Sequence, residues 1–414
     1  MSFPIPSVES KSSWVVASVA LLIMTLSFGS PWIVIVALKP VAAELGGTRS
    51  IPALASALAW FGQAFGGILM GRAAEVFGVR WTVVFGAVMI CIGLMLSSGG
   101  APWQLLLGHG LFIGMLGNGG INAPFYVYVS RWFDRRRGSA LALISSGGYV
   151  AGAIWPNLFE PAIAYIGWRE TMLWYGLLEL VVIVPLALIY LKPPPEQPSF
   201  VLPGAVGGQP RVFGLSPNAV YVPLVVASFL CCVTMSMPQA HLVALCSDIG
   251  IKPSHGAAML SLLLGAGFIS RQVWGLISDR IGGLRTVLAG SVCQVTAMTG
   301  FLLTQDEAGL FAVAAIFGLG FSGIIPAYVI AIRELFPAAE ASWRIPTLLL
   351  FSGSGMAAGG WLAGAIYDYA GFYGAAFVTG IAFNLVHIAI VGALVLRRSR
   401  IAPQGAVVYS PSGN

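Results

Sequence analysis

Twelve apolar runs, each long enough to cross a bilayer, recur along this chain with only short polar or Gly/Pro turns between them. They fall near 14–38, 51–70, 80–98, 102–129, 138–159 and 170–191, then 218–246, 255–277, 284–304, 308–332, 345–367 and 371–396. A hydrocarbon core of about 30 Å takes about 20 helical residues to span. Inside it every backbone polar group must find a partner within the protein, which restricts spanning segments to helices or closed barrels. The runs are too long for barrel strands, so the chain is expected to be an all-α integral membrane protein of twelve transmembrane helices. Composition agrees. Hydrophobic residues make up 57% and charged residues 9% of the 414 residues, against roughly 25% charged in soluble domains. The 52 glycines suit close backbone packing between spans.

The polar stretch through Lys11 leads into a run too long for a signal h-region, so it reads as the first span rather than a cleaved leader. The five cysteines all fall in apolar runs without metal-ligand or disulfide-framework spacing and read as small core residues. No metal or other cofactor is expected. The net charge of +6 resides in short loops and is not a nucleic-acid signal.

Lys and Arg placement sets the expected orientation. Lys11, Arg72, Arg80, Arg131, Arg135, Arg136, Arg137, Lys192, Arg211, Arg280, Arg285, Arg333, Arg344, Arg397, Arg398 and Arg400 share one side with the N-terminus, and Arg49, Arg169 and Lys252 lie on the other. Both termini are therefore expected in the cytoplasm. The short tails and compact connector suggest a bacterial cytoplasmic (inner) membrane.

The two halves repeat. Gly71-x-x-x-Glu75-x-x-Gly78-x-Arg80 follows the second span, and Gly275-x-x-x-Asp279-Arg280-x-Gly282 follows the eighth. The same 204-residue offset relates Gly167 to Gly371 and Gly176 to Gly380. A duplicated unit predicts six-helix bundles at 1–191 and 218–414, a proline-rich cytoplasmic linker at 192–217, and a substrate site between the halves near the midplane.

The Gly-x-x-x-Asp-Arg-x-Gly loops resemble the signature of the major facilitator superfamily, with Glu75 and Val76 departing from it in the first copy. A narrower resemblance lies in Arg131-Trp132-Phe133-Asp134-Arg135-Arg136-Arg137-Gly138-Ser139-Ala140, between spans four and five, and in Arg271-Gln272-x-Trp274-Gly275 in span eight. Both are similar to the monocarboxylate transporter and oxalate–formate antiporter branch, which implies a secondary carrier working by alternating access. The resemblance also implies that Arg271 binds a carboxylate, that the stretch holding Asn122 and Tyr126 helps line the cavity, and that Lys39 is an outer anion-attracting residue.

The residues themselves bear on each reading. Arg271 is the only charge in 257–277. An arginine inside a span is costly unless it is paired, hydrated or facing a cavity, and its planar fork fits one carboxylate bidentately. The competing reading is snorkelling, since the run ends six residues later, roughly 9 Å by helix rise. Asn122 and Tyr126, four apart, share a helix face and serve either substrate or helix–helix hydrogen bonds. His241 follows Pro238 and Gln239 in span seven and is either a ligand or a satisfied structural histidine. Lys39 is alternatively an interfacial anchor. Tyr328, after Pro326, is open in the same way, and Phe28, before Gly29, is a cavity wall or a packing residue. His109 and His387 lack a second polar cue. Gly71, Glu75, Arg80, Gly275, Asp279 and Arg280 are expected to act as conformational loops, with Asp279 and Arg280 locking their loop.

Proton-coupled relatives carry an aspartate one turn before the span-eight arginine, where this chain has Gly267. Glu179, the clear intramembrane carboxylate, lies in span six, expected to face lipid or scaffold. The antiporter type adds a span-eleven lysine, absent from 348–356. One cation suits one carboxylate, so the expected cargo is a small monocarboxylate of lactate or pyruvate type, with a coupling proton or counter-anion. A dicarboxylate or organic-anion exchanger is the alternative, and a non-transporting membrane sensor a third reading. No phosphate-loop or other enzyme motif is present. A monomer is expected.

Overall fold

The computed structural model describes residues 9–133, 136–194 and 212–401. Asp134 and Arg135 of the basic run, the connector from 195 to 211 with Pro195, Pro198 and Arg211, and residues 402–414 lie outside these, as do the side chains of Arg137 and Arg400. Within them the chain is almost entirely helical. The helices are α1 (Lys11–Val36), α2 (Ser50–Phe77), α3 (Val79–Ser97), α4 (102–130), α5 (137–166) and α6 (168–190), then α7 (Pro217–Asp248), α8 (Pro253–Ile281), α9 (Gly283–Leu303), α10 (Glu307–Leu335), α11 (Ala338–Ala370) and α12 (Gly374–Ile401). The continuous stretch Ser139–Tyr190 contains two crossings folded at Gly167 (φ 83°, ψ 162°). Together these make the twelve spans expected.

Glycine geometry repeats at the offset seen in the sequence. Positive φ occurs at Gly46 and Gly250, at Gly78 and Gly282, and at Gly167 and Gly371, all between 81° and 95° and each pair 204 residues apart. A side chain at these turns would be strained, so the two halves reverse direction by the same device. The end at which α1 starts and α12 finishes is called the linker end below, and the opposite end the far end.

Two of the departures from regular helix geometry bear on packing. The middle of α4, Gly108–Asn118, widens to π-helical hydrogen bonding. Glycines of α2 press against it: a Cβ at Gly66 would lie 2.0 Å from the Met115 carbonyl oxygen, and one at Gly62 would lie 2.3 Å from that of Gly110. Such contact between backbones is how membrane helices associate without a hydrophobic driving force. The other departure is the break in α1 at Phe28–Gly29. Pro31 has no N–H to give the preceding turn, and the carbonyls exposed there take side-chain partners. Trp155 Nε1 donates to Thr25 O (2.8 Å), Tyr175 Oη to Leu26 O (2.7 Å) and Ser30 Oγ to Ser27 O (2.7 Å).

Gly29 makes room for this arrangement, because a Cβ there would sit 1.8 Å from Tyr175 Oη. Gly29→Ala is therefore expected to displace the Tyr175 hydroxyl and to destabilise the fold by about 1–3 kcal/mol, the usual range for overpacking. The readout is a lower melting temperature in detergent. An unchanged melt would show that Tyr175 does not hold the break.

Candidate functional site

α5 and α8 run antiparallel along the seam between the halves, and contacts step down it in register. A Cβ on Gly152 would strike Leu264 at 2.2 Å, and one on Gly265 would touch Ala153. One turn nearer the linker end, Tyr149 lies over Gly267, whose added Cβ would come within 2.9 Å of the ring. One turn further, Arg271 reaches across to α5. Its Nη1 donates to Ser145 O at 3.4 Å, and its guanidinium carbon lies 5.2 Å from the centre of the Tyr149 ring. Gly267 therefore leaves space that an aromatic ring from the opposite half fills.

Arg271 is half-buried and pairs with no carboxylate among the described residues. The apolar run suggested six residues to the end of the span. The helix instead continues to Ile281, placing Arg271 ten residues from its end, about 15 Å by helix rise. Tyr126, 36% exposed on α4, lies close enough to feel the charge of Arg271, as does Tyr149. Asn122, one turn away on the Tyr126 face, has its Oδ1 buried without a hydrogen-bond partner. The result is a cation with spare donors, flanked by two phenols at the meeting of the halves. Tyr149 and Ser145 were not among the sequence candidates. In the sequence Tyr149 is one tyrosine in a Gly-rich run, and only the crossing with α8 gives it meaning.

The structure separates the other candidates from Arg271. His241 is fully buried, with Nδ1 3.0 Å from Tyr373 Oη and Nε2 2.8 Å from Gly360 O. Both ring nitrogens are used within the second half, so the ring is held as a structural bridge. Tyr328 is also fully buried, its hydroxyl 2.9 Å from His387 Nε2. That bond joins α10 to α12 inside the second half. His109 sits within hydrogen-bonding distance of Ser97 Oγ and Leu105 O. Phe28 is buried against Gly148 and Trp60. Glu179 is buried in the scaffold of the first half near Tyr175 and Cys91, with neither carboxyl oxygen hydrogen-bonded among the described residues.

The conformational loops also differ from expectation. Asp279 and Arg280 are exposed and make no ion pair among the described residues, so they do not lock their loop in this structure. Glu334 on α10 takes that place. It accepts from Gly283 N at 2.9 Å, at the positive N-terminal end of α9, and from Arg398 Nη1 at 3.1 Å. In the first half Glu75 is exposed, and Arg80 Nε donates to Leu191 O at 2.9 Å, beside a cleft of about 380 Å³ that Gly71 also lines. Gly275 has nothing within 4 Å of an added Cβ.

The tightest polar junction between the halves is at the far end. Arg49, just before α2, forms a bidentate pair with Asp248 at the end of α7, at 2.5 and 2.6 Å. Lys39 Nζ lies 3.0 Å from the same carboxylate. The Asp368 carboxylate of α11 accepts from the backbone N–H groups of Arg49 and Ser50 at 2.8 and 2.9 Å. The guanidinium lies 3.7 Å above the Tyr367 ring and donates to Tyr373 Oη at 2.8 Å. Just inside this junction, Trp32 and Trp60 face Gln239 and Met356 across a gap of about 10 Å³, too small to admit solute. At the linker end, no ion pair joins the halves among the described residues. The seam is closed toward the far end, with Arg271 on the linker-end side of the closure.

The profile of the Major Facilitator Superfamily matches residues 20–342 and 224–407. Among curated relatives, the MFS-type transporter pynF of Aspergillus niger is 27% identical over 342 residues, covering 80% of this chain and 76% of that one. Monocarboxylate transporter 13 of Bos taurus is 26% identical over 331 residues, covering 78% and 75%. Among solved structures, a point mutant of a peptide transporter POT in complex with alafosfalin superposes with a TM-score of 0.70 at 16% identity, over 92% of this chain and 95% of that one. A bacterial homologue of the human lysosomal transporter Spinster, in an inward-facing and unoccupied conformation, gives 0.66 at 17% identity over 98% and 100%. These structural likenesses speak for the fold. The sequence relatives are mainly fungal and mammalian, so they lend no support to the expected bacterial inner membrane.

Proposed function

From the premise that this chain belongs to the major facilitator superfamily, a family of multi-pass membrane transporters, we propose that it is a secondary carrier of small organic monocarboxylates. Arg271 receives the carboxylate, and the two halves rock about it. The observation that carries this reading is the placement of Arg271: a permanent cation about 15 Å inside its helix end, at the seam between the halves, with no acid paired to it among the described residues. An uncompensated charge at that depth needs a counter-ion, and a substrate carboxylate supplies one. Tyr126 and Tyr149 offer hydroxyl donors and apolar ring faces to the rest of the anion. Similarity to a monocarboxylate transporter supports the same class.

With Gly267 occupied by the Tyr149 ring there is no acid one turn from Arg271. That favours exchange of anions, or a coupling proton carried elsewhere, over a proton site on α8. The sign of the loop charges supports a reading in which the linker end, and both termini, face the cytoplasm. The closure at Trp32 and Trp60 then lies on the outer side of Arg271.

A thermal-shift screen of small carboxylates tests the reading. Lactate- or pyruvate-like acids are expected to raise the melting temperature of the wild type by mass action and to leave Arg271→Ala unmoved. Equal stabilisation of both proteins would remove Arg271 from the site. Counterflow in proteoliposomes then separates the modes of coupling: strong trans-stimulation without a pH response marks exchange.

A further inference from the structure

Glu179 has no part in the anion site, yet it is the middle residue of α6. It is fully buried, and neither carboxyl oxygen has a hydrogen-bond partner among the described residues. Packing alone does not require an acid there, because a methionine fills such a place with no polar group to satisfy. A buried carboxylate without a partner is strongly disfavoured, so in this conformation the group holds its proton. An ionisable residue at such depth points to function before packing. Few groups surround it. From α3 it faces Cys91, and Tyr175 lies one turn earlier on its own helix; both feel its charge. The charged side chains described on the helices packed around it, Lys11, Arg80, Glu160, Arg169 and Glu170, lie toward helix ends.

A line of contacts joins this acid to the seam. Tyr175 shares the Glu179 face of α6, but its hydroxyl is spent on Leu26 O, at 2.7 Å, in the break of α1. α5 grips the same break twice. Trp155 donates to Thr25 O and sets its ring 4.8 Å from that of Tyr175, edge to face. Gly148 lies against Phe28, where an added Cβ would come within 3.8 Å of the ring. The next residue on α5 is Tyr149, the ring beneath Arg271. A movement of α5 against α8 at the seam therefore pulls on the α1 break, and with it on the hydroxyl nearest Glu179.

We propose that Glu179 carries the coupling proton of this carrier and that the break in α1 switches it through Tyr175. While Tyr175 donates to Leu26 O, Glu179 has no donor and keeps its proton. When the halves rock, the break shifts and frees the Tyr175 hydroxyl to donate to the carboxylate, which favours the charged form. The O–H bond of the carboxyl then breaks, and the proton passes to water of the open seam by way of the hydroxyl, which both accepts and donates. The return movement restores the bond to Leu26 O and draws a proton back. This deepens the reading of the protein as an anion carrier and rests on it: the acid missing at Gly267 is replaced by one in the first half.

The test uses the full chain in proteoliposomes with lactate as the probe, at equal pH on both sides and across a pH difference. Wild-type net flux is expected to change severalfold when the pH difference is imposed. Glu179→Gln copies the neutral acid in shape. It should melt with the wild type, still exchange lactate at equal pH, and lose the response to the pH difference. Tyr175→Phe should weaken that response while leaving the acid protonated. Infrared spectroscopy reads the proton without substrate. A protonated carboxyl band should persist in the wild type and in Tyr175→Phe at mildly alkaline pH, where ordinary carboxyls are ionised, and should be missing from Glu179→Gln. If Glu179→Gln fails to fold, Glu179→Met takes its place in every comparison. The proposal is overturned if wild-type flux ignores the pH difference, if the Glu179 variant or Tyr175→Phe keeps the full response, or if the band is absent from the wild type or survives in the variant. Loss of exchange together with the pH response overturns it too, because the residue is then structural. Failure of the Arg271 reading shows elsewhere, as a carboxylate screen in which Arg271→Ala responds like the wild type, and leaves the pH response and the infrared band readable.

Discussion

Arg271→Ala is expected to abolish carboxylate uptake in proteoliposomes while leaving the protein folded. The reasoning compares what the side chain does for the fold with what it offers a ligand. For the fold it makes one long hydrogen bond, 3.4 Å to Ser145 O, and a cation–π contact at 5.2 Å. Contacts of this kind are worth about 0.5–1 kcal/mol, so the melting temperature should barely move. For a bound carboxylate in a partly dehydrated seam, removing the partner cation costs about 2–5 kcal/mol, roughly 30- to 4,000-fold in affinity. Arg271→Lys keeps the charge but loses the planar fork, and should recover only a fraction of uptake. Tyr149→Phe should weaken uptake less than either, since the ring beneath the guanidinium remains. Near-wild-type uptake by Arg271→Ala would end the assignment. So would a large fall in its melting temperature, which would make the residue structural.

That contrast bears on how far the sequence can be read. The twelve helices and their duplication were legible because they depend on local features: runs of apolar residues, and glycines at turns needing positive φ. Gly78 and Gly282, or Gly167 and Gly371, declare the repeat with no knowledge of contacts. Arg271 was legible for a similar reason, as a lone charge in an apolar run. Its neighbours were not, because Ser145 lies 126 positions away and meets it only where α5 crosses α8. The far-end junction was hidden further still. Arg49 and Asp248 are 199 residues apart, and Arg49 and Asp368 are 319 apart. In the sequence Arg49 is one loop charge and Asp248 the end of a span. His241 was open in the sequence between ligand and structural histidine, and only the fold brings Tyr373 and Gly360 to its two ring nitrogens. Gly267 was read as the absence of an acid, and only the fold shows that it also admits the Tyr149 ring.

Arg344 is the counterpart that sequence reasoning passed over, and Arg344→Ala is expected to produce the largest loss of stability of any substitution considered. By loop position it was one of many charges on the linker-end side. The structure buries it instead, with its side chain 3% exposed. Tyr221, Phe336 and Trp343 surround the guanidinium, their ring centres 4.4 to 4.6 Å from its carbon. Nη2 donates to Glu340 at 2.7 Å and to Asn218 at 3.1 Å, and Nε donates to Glu340 at 2.9 Å. The Arg344 carbonyl also accepts from Tyr221 Oη at 2.8 Å, which fixes the start of α7 to that of α11. Truncation would empty the aromatic box and leave Glu340, 29% exposed, without its cation. Breaking a buried pair by removing one partner costs about 3–5 kcal/mol, here tempered by the partial solvation of Glu340, with the lost ring contacts adding to it. The melting temperature in detergent should therefore fall by many degrees. Arg344→Lys should recover only part of the loss, because an ammonium cannot fill the box between three rings or match the two-nitrogen grip on Glu340. Carboxylate affinity, measured on whatever fraction stays folded, should be unchanged. If Arg344→Ala melts with the wild type but loses substrate binding, the roles given to the two arginines would have to be exchanged.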